Sequence, residues 1–292
     1  MIDNYEIHLT VEIKKDDVGK NIYFLEDEFN EEPDYEKQLS DKAPTIGHFK
    51  ELNDSNAEIF INEKSNKFSK YFIPEKEGIY QIKLNIKKIM ENCEYMFYNC
   101  KNLITVNLSN LNTSNVKSME KMFQNCSNLK EVDLSNLNNE NLINMSYMFS
   151  GCTNLEKINF SNFTTNKVRT MDHTFQFCKN LKYIDFYSFK TESVENTNQM
   201  FLECSSIESI NLFYFKLSNI KSMDEMFYNC KNLKDLSLPY FDEDKIPNLQ
   251  LFKGCESIEK IEIHTSKYKK IIKQNSSLKK KFIYKKSGCF IF

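Results

Sequence analysis

Apolar residues recur along the middle of this chain with a constant period of 26 residues. A cysteine marks each repeat, a phenylalanine stands three positions before it, and Leu or Ile stands three positions after it. The cysteine column consists of Cys100, Cys126, Cys152, Cys178, Cys204, Cys230 and, one residue early, Cys255. The phenylalanine column consists of Phe97, Phe123, Phe149, Phe175, Phe201, Phe227 and Phe252. A fixed period of this length indicates a repeat array whose units stack on one another.

One repeat contains the signals of two kinds of secondary structure. The spacing of Leu103, Val106 and Leu108 ends with a period of two, which is typical of a strand with one buried face. The segment from Met119 to Cys126 has the apolar spacing of a short helix. A single repeat cannot bury its apolar side chains, whereas stacked repeats bury one another's. The pattern therefore predicts an α/β solenoid of parallel strands with short helices. An array of mostly strands and turns is the alternative.

The repeated phrase resembles a known family. It is MFYNCKNLITVNLSNLNTSNVKSM at 96–119 and MFSGCTNLEKINFSNFTTNKVRTM at 148–171. These residues are similar to the BspA-type leucine-rich repeats of the 26-residue surface-protein class, over about positions 93–263. The resemblance implies a leucine-rich-repeat solenoid that is used for adhesion or protein binding and that carries no catalytic motif.

Residues 1–79 lack the period and are predicted to form a β-rich N-terminal capping domain, because Ile7, Leu9 and Val11 alternate with polar residues. A solenoid needs such a unit to cover its end. An independent ligand-binding module is the alternative. Ile82 stands 26 residues before Leu108, so the strand at 80–86 is interpreted as the first half-rung of the array. The solenoid is then predicted over 80–264 and a polybasic tail over 265–292.

Composition limits the compartment and the class of partner. The formal net charge of −2 is too small to indicate nucleic-acid binding. No apolar run approaches the roughly 20 residues of a membrane helix, and the N-terminus lacks the pattern of a secretory signal. We therefore expect a cytoplasmic protein whose cysteines are reduced and pack as small buried side chains. Adjacent repeats nevertheless bring these cysteines near the distance range of a disulfide.

The C-terminus carries a candidate lipidation site. Cys289, Phe290, Ile291 and Phe292 have the C-a-a-X form, whose cysteine receives a prenyl group, and a terminal Phe favours geranylgeranyl. One lipid chain holds a protein only weakly, so a second signal is expected, and basic residues supply one by attraction to an anionic membrane. The predicted membrane-binding residues are Lys279, Lys280, Lys281, Lys285 and Lys286. A solvated basic tail that ends by chance in a cysteine is the alternative.

The exposed face of the predicted strands is a second candidate site. If Val106 and Leu108 point inward, the residues between them point outward in every repeat. Small polar residues in the first repeats give way to aromatic residues, which protein-binding sites often use. The predicted partner-binding residues are Asn107, Asp133, Asn159, Tyr183, Asp185, Tyr187, Asn211 and Phe213. The alternative is a plain polar ladder whose aromatic residues cover the C-terminal tail.

The remaining motifs do not indicate an enzyme. The four histidines are scattered without zinc-site spacing, and the six glycines form no phosphate-binding loop, so we expect no metal and no cofactor. His173 is expected at the surface. The sequence thus predicts a non-catalytic protein that binds a protein partner at a membrane surface and is anchored through prenylated Cys289. Adhesion at the cell surface is the alternative function, and an enzyme is the third class.

Overall fold

The computed structural model describes residues 4–26, 49–242, 244, 250–263 and 269–284. The helical elements of this part are α1 (Lys269–Gln274) and two short 3-10 helices, Lys15–Asp17 and Ser276–Lys281. The strands are β1 (Tyr5–Ile13), β2 (Ile22–Tyr23), β3 (Ala57–Ile61), β4 (Lys64–Asn66), β5 (Tyr71–Phe72), β6 (Gly78–Ile86), β7 (Leu103–Asn110), β8 (Glu131–Asp133), β9 (Lys157–Asn159), β10 (Ser209–Asn211), β11 (Asp235–Ser237), β12 (Lys260–Ile263) and β13 (Phe282–Tyr284).

The predicted solenoid of parallel strands is confirmed. Each repeat forms one turn of the solenoid, here called a rung, and equivalent residues of neighbouring rungs lie side by side. In β7, β8 and β9 the register places Val106 beside Val132 and Val132 beside Ile158. β10, β11 and β12 are paired in the same way. The period of the sequence is therefore the period of the coil.

The short helices predicted within each rung are wrong, because the segments from Met119 to Cys126 and its equivalents form consecutive turns. Lys121 and Asn125 have left-handed backbone conformations, with φ of 56° and 63°, which interrupt a right-handed helix. Alternate amides bond to the next rung instead of along a helix: the Phe123 N–H donates to the Met148 carbonyl at 2.8 Å. These turns therefore stack on one another much as the strands do.

The core of the solenoid is a stack of parallel phenylalanine rings. Centroid distances are 5.0 Å between Phe97 and Phe123 and 5.2 Å between Phe123 and Phe149, and the stack continues to Phe252. Each cysteine thiol of the column, from Cys126 to Cys255, donates to the backbone carbonyl of the phenylalanine in the preceding rung, at 2.8–3.2 Å. The eight described cysteines are free thiols and all are buried.

The N-terminal strands join the first rung directly. β1 lies between β6 and β7 and is antiparallel to both, with Leu9 opposite Val106. The interpretation of residues 80–86 as a half-rung is therefore wrong, because β6 pairs with β1 and β3 and not with a strand of the parallel ladder. The buried residues of β1, β3 and β6 belong to the same apolar cluster as those of the solenoid. Whether residues 1–79 fold as a domain of their own stays a prediction.

The other end of the array is covered by the segment that follows β12. β13 pairs in parallel with β12, which places Phe282 beside Ile261. Ile271 of α1 is fully buried and belongs to the same apolar cluster as the rungs. The C-terminal segment thus continues the ladder by one strand before the described residues end.

Candidate binding surface

Five of the predicted partner-binding residues form one column along the exposed strand face, and each also closes a turn. The side-chain oxygen accepts a hydrogen bond from the backbone N–H two residues later. These donor–acceptor distances are 2.9 Å for Asn107, 2.9 Å for Asp133, 3.1 Å for Asn159, 2.9 Å for Asp185 and 3.0 Å for Asn211. Such Asx turns are a local structural role. Substituting this column would disturb the turns as well as the surface.

The strand ladder is interrupted at the rung between β9 and β10. Residues 181–186 contain the alternating pattern of a strand, yet they form none, and β9 and β10 are the edges of two separate sheets. In intact rungs the Leu134 N–H donates to the Asn159 carbonyl and the Leu212 N–H to the Ser237 carbonyl, each at 3.0 Å. Within the described residues, the equivalent amide of Phe160 makes no such bond.

Aromatic side chains replace leucine in the core at this break. Phe160 and Phe186 occupy the column that holds Leu134 in the preceding rung, and both pack edge-on against Phe175, at 6.4 Å and 6.2 Å between centroids. Ile158 is only half-buried, whereas its equivalent Val132 is buried. The break in the ladder thus coincides with the change from leucine to phenylalanine in this core column.

A groove opens on the strand face where the ladder is interrupted. Its volume is about 690 Å³, within the range of about 300–1,000 Å³ that is typical of ligand-binding clefts. One wall consists of residues 156–162 and the other of residues 182–190. Tyr183, Asp185 and Tyr187, three of the predicted partner-binding residues, line it together with Asn159. The structure thus brings four of the eight predicted residues to one concave site. Asn107 lies on the first rung of the array and does not line this groove.

Exposed aromatic side chains continue from the groove over the following rungs. Tyr183 is 63% exposed and Tyr187 is 81% exposed, and Phe213 is 36% exposed. Sequence reasoning missed Tyr214 and Tyr240, which are 62% and 54% exposed. The sequence does contain a signal for them, because the two tyrosines are 26 residues apart and each directly follows a residue of the column that contains Phe213.

The basic tail is described only in part. Lys279 and Lys280 are exposed and Lys281 is half-buried in the 3-10 helix before β13. Cys289, the predicted lipidation site, and the predicted membrane-binding residues Lys285 and Lys286 lie outside the described residues. In the described part of the chain, no helix combines the length and apolarity of a membrane span.

Two neighbouring residues on the turn side of the solenoid, Asp172 and His173, have perturbed pKa values. The expectation that His173 lies at the surface is wrong: its ring is half-buried and stacks on Tyr147 with centroids 4.3 Å apart. Burial lowers the pKa of His173 to about 4. Burial also raises the pKa of the neighbouring Asp172 to about 6, although this carboxylate accepts a hydrogen bond from the backbone N–H of Asn198 at 3.0 Å. Across the described residues, no group of His, Cys, Asp and Glu is arranged to hold a metal ion.

The fold and its surface define a repeat solenoid of stacked parallel strands. The model of the family described as "Mycoplasma protein of unknown function, DUF285" matches residues 67–183, 91–213, 153–265 and 205–281. The chain belongs to this family, since these overlapping matches extend over most of its length. No curated protein sequence matches the chain.

Proposed function

We propose that this protein is a non-catalytic binding protein that presents its exposed strand face to a protein partner. The break in the ladder is the observation that carries the proposal, because it forms a groove beside the exposed rings of Tyr183 and Tyr187. Tyrosine is enriched among the residues that dominate binding between proteins, and clustered exposed apolar groups mark such sites. The similarity of the repeats to the BspA-type leucine-rich repeats supports the same class of function.

In this proposal residues 1–79 act mainly as a cap. Three features of β1 support that role. It occupies the edge of β7 along its length, the Glu12 N–H donates to the Asn102 carbonyl at 3.0 Å, and the Thr105 hydroxyl donates to Thr10 at 2.8 Å. An exposed strand edge invites association with other chains, so covering β7 protects the first rung from unwanted pairing.

The proposal also places the protein at the cytoplasmic side of a membrane, through prenylation of Cys289. Its support is the C-a-a-X form of the terminus and the basic residues before it, of which Lys279 and Lys280 are exposed. Mass spectrometry of the protein from its native cell is expected to show a prenylated Cys289 without the last three residues. An unmodified Cys289 still followed by Phe290, Ile291 and Phe292 would exclude this anchor.

Adhesion at the cell exterior is the second candidate function, and the resemblance to the surface-protein repeat class favours it. Protease treatment of intact cells separates the two locations. A protein on the cytoplasmic side survives the treatment, whereas an adhesion protein at the exterior is digested. The exposed segments on the strand face would supply the cleavage sites.

Proximity labelling in the native cell tests the binding face. The double variant Tyr183→Ser/Tyr187→Ser removes both exposed rings and is expected to lose the labelled neighbours of the wild type. Its fold should be unchanged, because surface substitutions of this kind usually alter stability by less than about 0.5 kcal/mol. Ile73→Ser is the matched control, since Ile73 is 58% exposed but lies in the N-terminal part, outside the residues that line the groove. Unchanged neighbours in a folded double variant would contradict the proposed face.

A further inference from the structure

The groove exposes backbone groups that have no strand partner. In a parallel ladder, alternate residues direct their N–H and C=O groups to opposite neighbours. The Leu134 N–H bonds to the Asn159 carbonyl in the next rung, so the repeat directs the equivalent Phe160 N–H into the groove. Ile158 stands two residues before Phe160, so its N–H and C=O also point into the groove. β9 is an edge strand on this side, and no described strand pairs with it.

The opposite wall of the groove leaves the β9 edge without a strand partner. Tyr183 and Asp185 stand one repeat after Lys157 and Asn159, which pair with β8. They therefore direct their backbone groups toward β9, but residues 181–186 form no strand. The Ser188 hydroxyl donates to the Phe160 carbonyl at 3.0 Å, so the open groups on the β9 edge are the N–H and C=O of Ile158 and the N–H of Phe160. An open strand edge favours a ligand that carries its own alternating backbone N–H and C=O groups.

The charged side chains around the groove favour an acidic ligand. Lys157, Lys182 and Lys190 line it, against Glu156 and Asp185. One oxygen of Asp185 already accepts the Tyr187 N–H, at 2.9 Å. Lys157 and Lys182 make no ion pair with any described residue. An acidic segment could therefore pair with both lysines without breaking an existing ion pair.

We propose that this groove binds an extended acidic segment of the partner as an added β-strand, with the N–H and C=O of Ile158 and the N–H of Phe160 supplying the pairing groups. This inference rests on the proposed function and specifies how the same face recognises its partner. Main-chain hydrogen bonds supply affinity in this mode, and side chains at alternate positions supply specificity. Lys157 and Lys182 pair with carboxylates of the segment, and the rings of Tyr183 and Tyr187 cover its apolar side chains.

Alternately N-methylated peptides test the backbone pairing. The probe is acetyl-Asp-Val-Glu-Val-Asp-amide, titrated into the full-length protein up to millimolar concentration. Amides at even and odd positions of a strand lie on opposite edges. One test peptide is N-methylated at both valines, and the other at the central glutamate and the last aspartate. Each peptide therefore lacks two amide donors of one strand edge and keeps those of the other. One of these two peptides is expected to lose up to about tenfold in affinity, because a methyl group replaces the N–H that bonds to the Ile158 carbonyl, and the other is expected to keep most of it. Equal affinity of both methylated peptides, or no binding of the unmethylated probe, would overturn the inference.

A basic version of the probe, with lysine in place of each acidic residue, tests the charge argument. It is expected to bind more weakly than the acidic probe, and equal binding would overturn the assignment to an acidic segment. The Lys157→Ser/Lys182→Ser double variant should remove the difference between the two probes. Both lysines are exposed on the strand face, so this variant is expected to fold normally.

Amide hydrogen exchange locates the binding site without any substitution. In the free protein the Ile158 and Phe160 amides are expected to exchange faster than those of Val132 and Leu134, which pair with the next rung. Addition of the acidic probe should slow exchange at Ile158 and Phe160 and leave Val132 and Leu134 unchanged. Binding without protection of Ile158 and Phe160 would overturn the inference.

The outcome for this inference is separate from that for the proposed function. If the tyrosine double variant loses its labelled neighbouring proteins but the two N-methylated peptides bind equally, the proposed binding face is supported and the added strand is excluded. If the tyrosine double variant keeps all its neighbours, the proposed face itself is excluded.

Discussion

Replacing Phe149 with leucine tests whether the ring stack, as well as burial, stabilises consecutive rungs. Phe149 is fully buried and contacts three rings, with centroids 5.2 Å from Phe123, 5.7 Å from Phe175 and 6.3 Å from Phe160. Phe97 is equally buried but contacts only the ring of Phe123 among the described residues, at 5.0 Å. Phe97→Leu is therefore the matched control.

The expected difference follows from the number of ring contacts. Both substitutions replace a fully buried phenylalanine by leucine, so the loss of apolar burial is similar and largely cancels in the comparison. An aromatic pair contributes about 0.5–1.5 kcal/mol beyond its buried area. Phe149 makes two more such contacts than Phe97, so Phe149→Leu is expected to lower the free energy of unfolding by about 1–3 kcal/mol more.

Urea unfolding followed by circular dichroism measures both variants. Repeat arrays sometimes unfold in parts, so native-state hydrogen exchange should confirm that the same rungs open in both proteins. Equal losses of stability in the two variants, within about 0.5 kcal/mol, would refute the reasoning, because burial alone would then account for both.

The further predictions concern three groups inside the rungs, the side chains of Cys152, Asp172 and His173. Cys152→Ala should cost about 1–2 kcal/mol in urea unfolding, because the thiol donates to the Phe123 carbonyl at 3.0 Å. Burial raises the pKa of the Cys152 thiol, so iodoacetamide should modify it only after denaturation, and modification in the native protein would contradict this burial. Burial raises the pKa of Asp172 from 3.8 to about 6, so the stability that this group contributes is present below pH 3.8 and is lost as the pH rises through 6. Asp172→Asn should therefore be more stable than the wild type at pH 8, by on the order of 3 kcal/mol, and equally stable near pH 4. The pKa of His173 is lowered from 6.5 to about 4, so its contribution is present above pH 6.5 and is lost as the pH falls through 4. Thermal unfolding of His173→Gln should lack that acid-dependent loss, and an unchanged pH profile would contradict it.

The periodic part of the fold could be predicted from the sequence, because each apolar column is repeated and errors at single positions average out. The register of Val106, Val132 and Ile158 follows from a period of 26 residues without any structural knowledge. The turns were missed for a local reason. Apolar residues at 119, 122, 123 and 126 fit a helix, and only the left-handed conformation of residues such as Lys121 distinguishes consecutive turns from one.

The N-terminal topology could not be predicted from the period. Ile82 stands exactly one repeat before Leu108, but spacing alone does not decide whether β6 or another strand pairs with β7. The structure places β1 there, antiparallel, with Leu9 opposite Val106. An antiparallel strand can bond to the free backbone groups of β7 as well as another parallel rung could. Which strand pairs with β7 therefore depends on contacts between segments that are far apart in sequence.

The break in the ladder shows why a solenoid can open a groove on one face without losing its fold. On the turn side, bridges between rungs run without interruption past the break, through Asn144, Thr170, Asn196 and Ser222. The phenylalanine stack is also continuous there, with 5.7 Å between Phe149 and Phe175. Since each rung contacts its neighbours through the turns, the core and the strands, two of these contacts hold the array together where the third is open. The strand face is therefore the part of the rung that can change in sequence while the array keeps its fold, as the column from Ser109 to Tyr187 and Phe213 does.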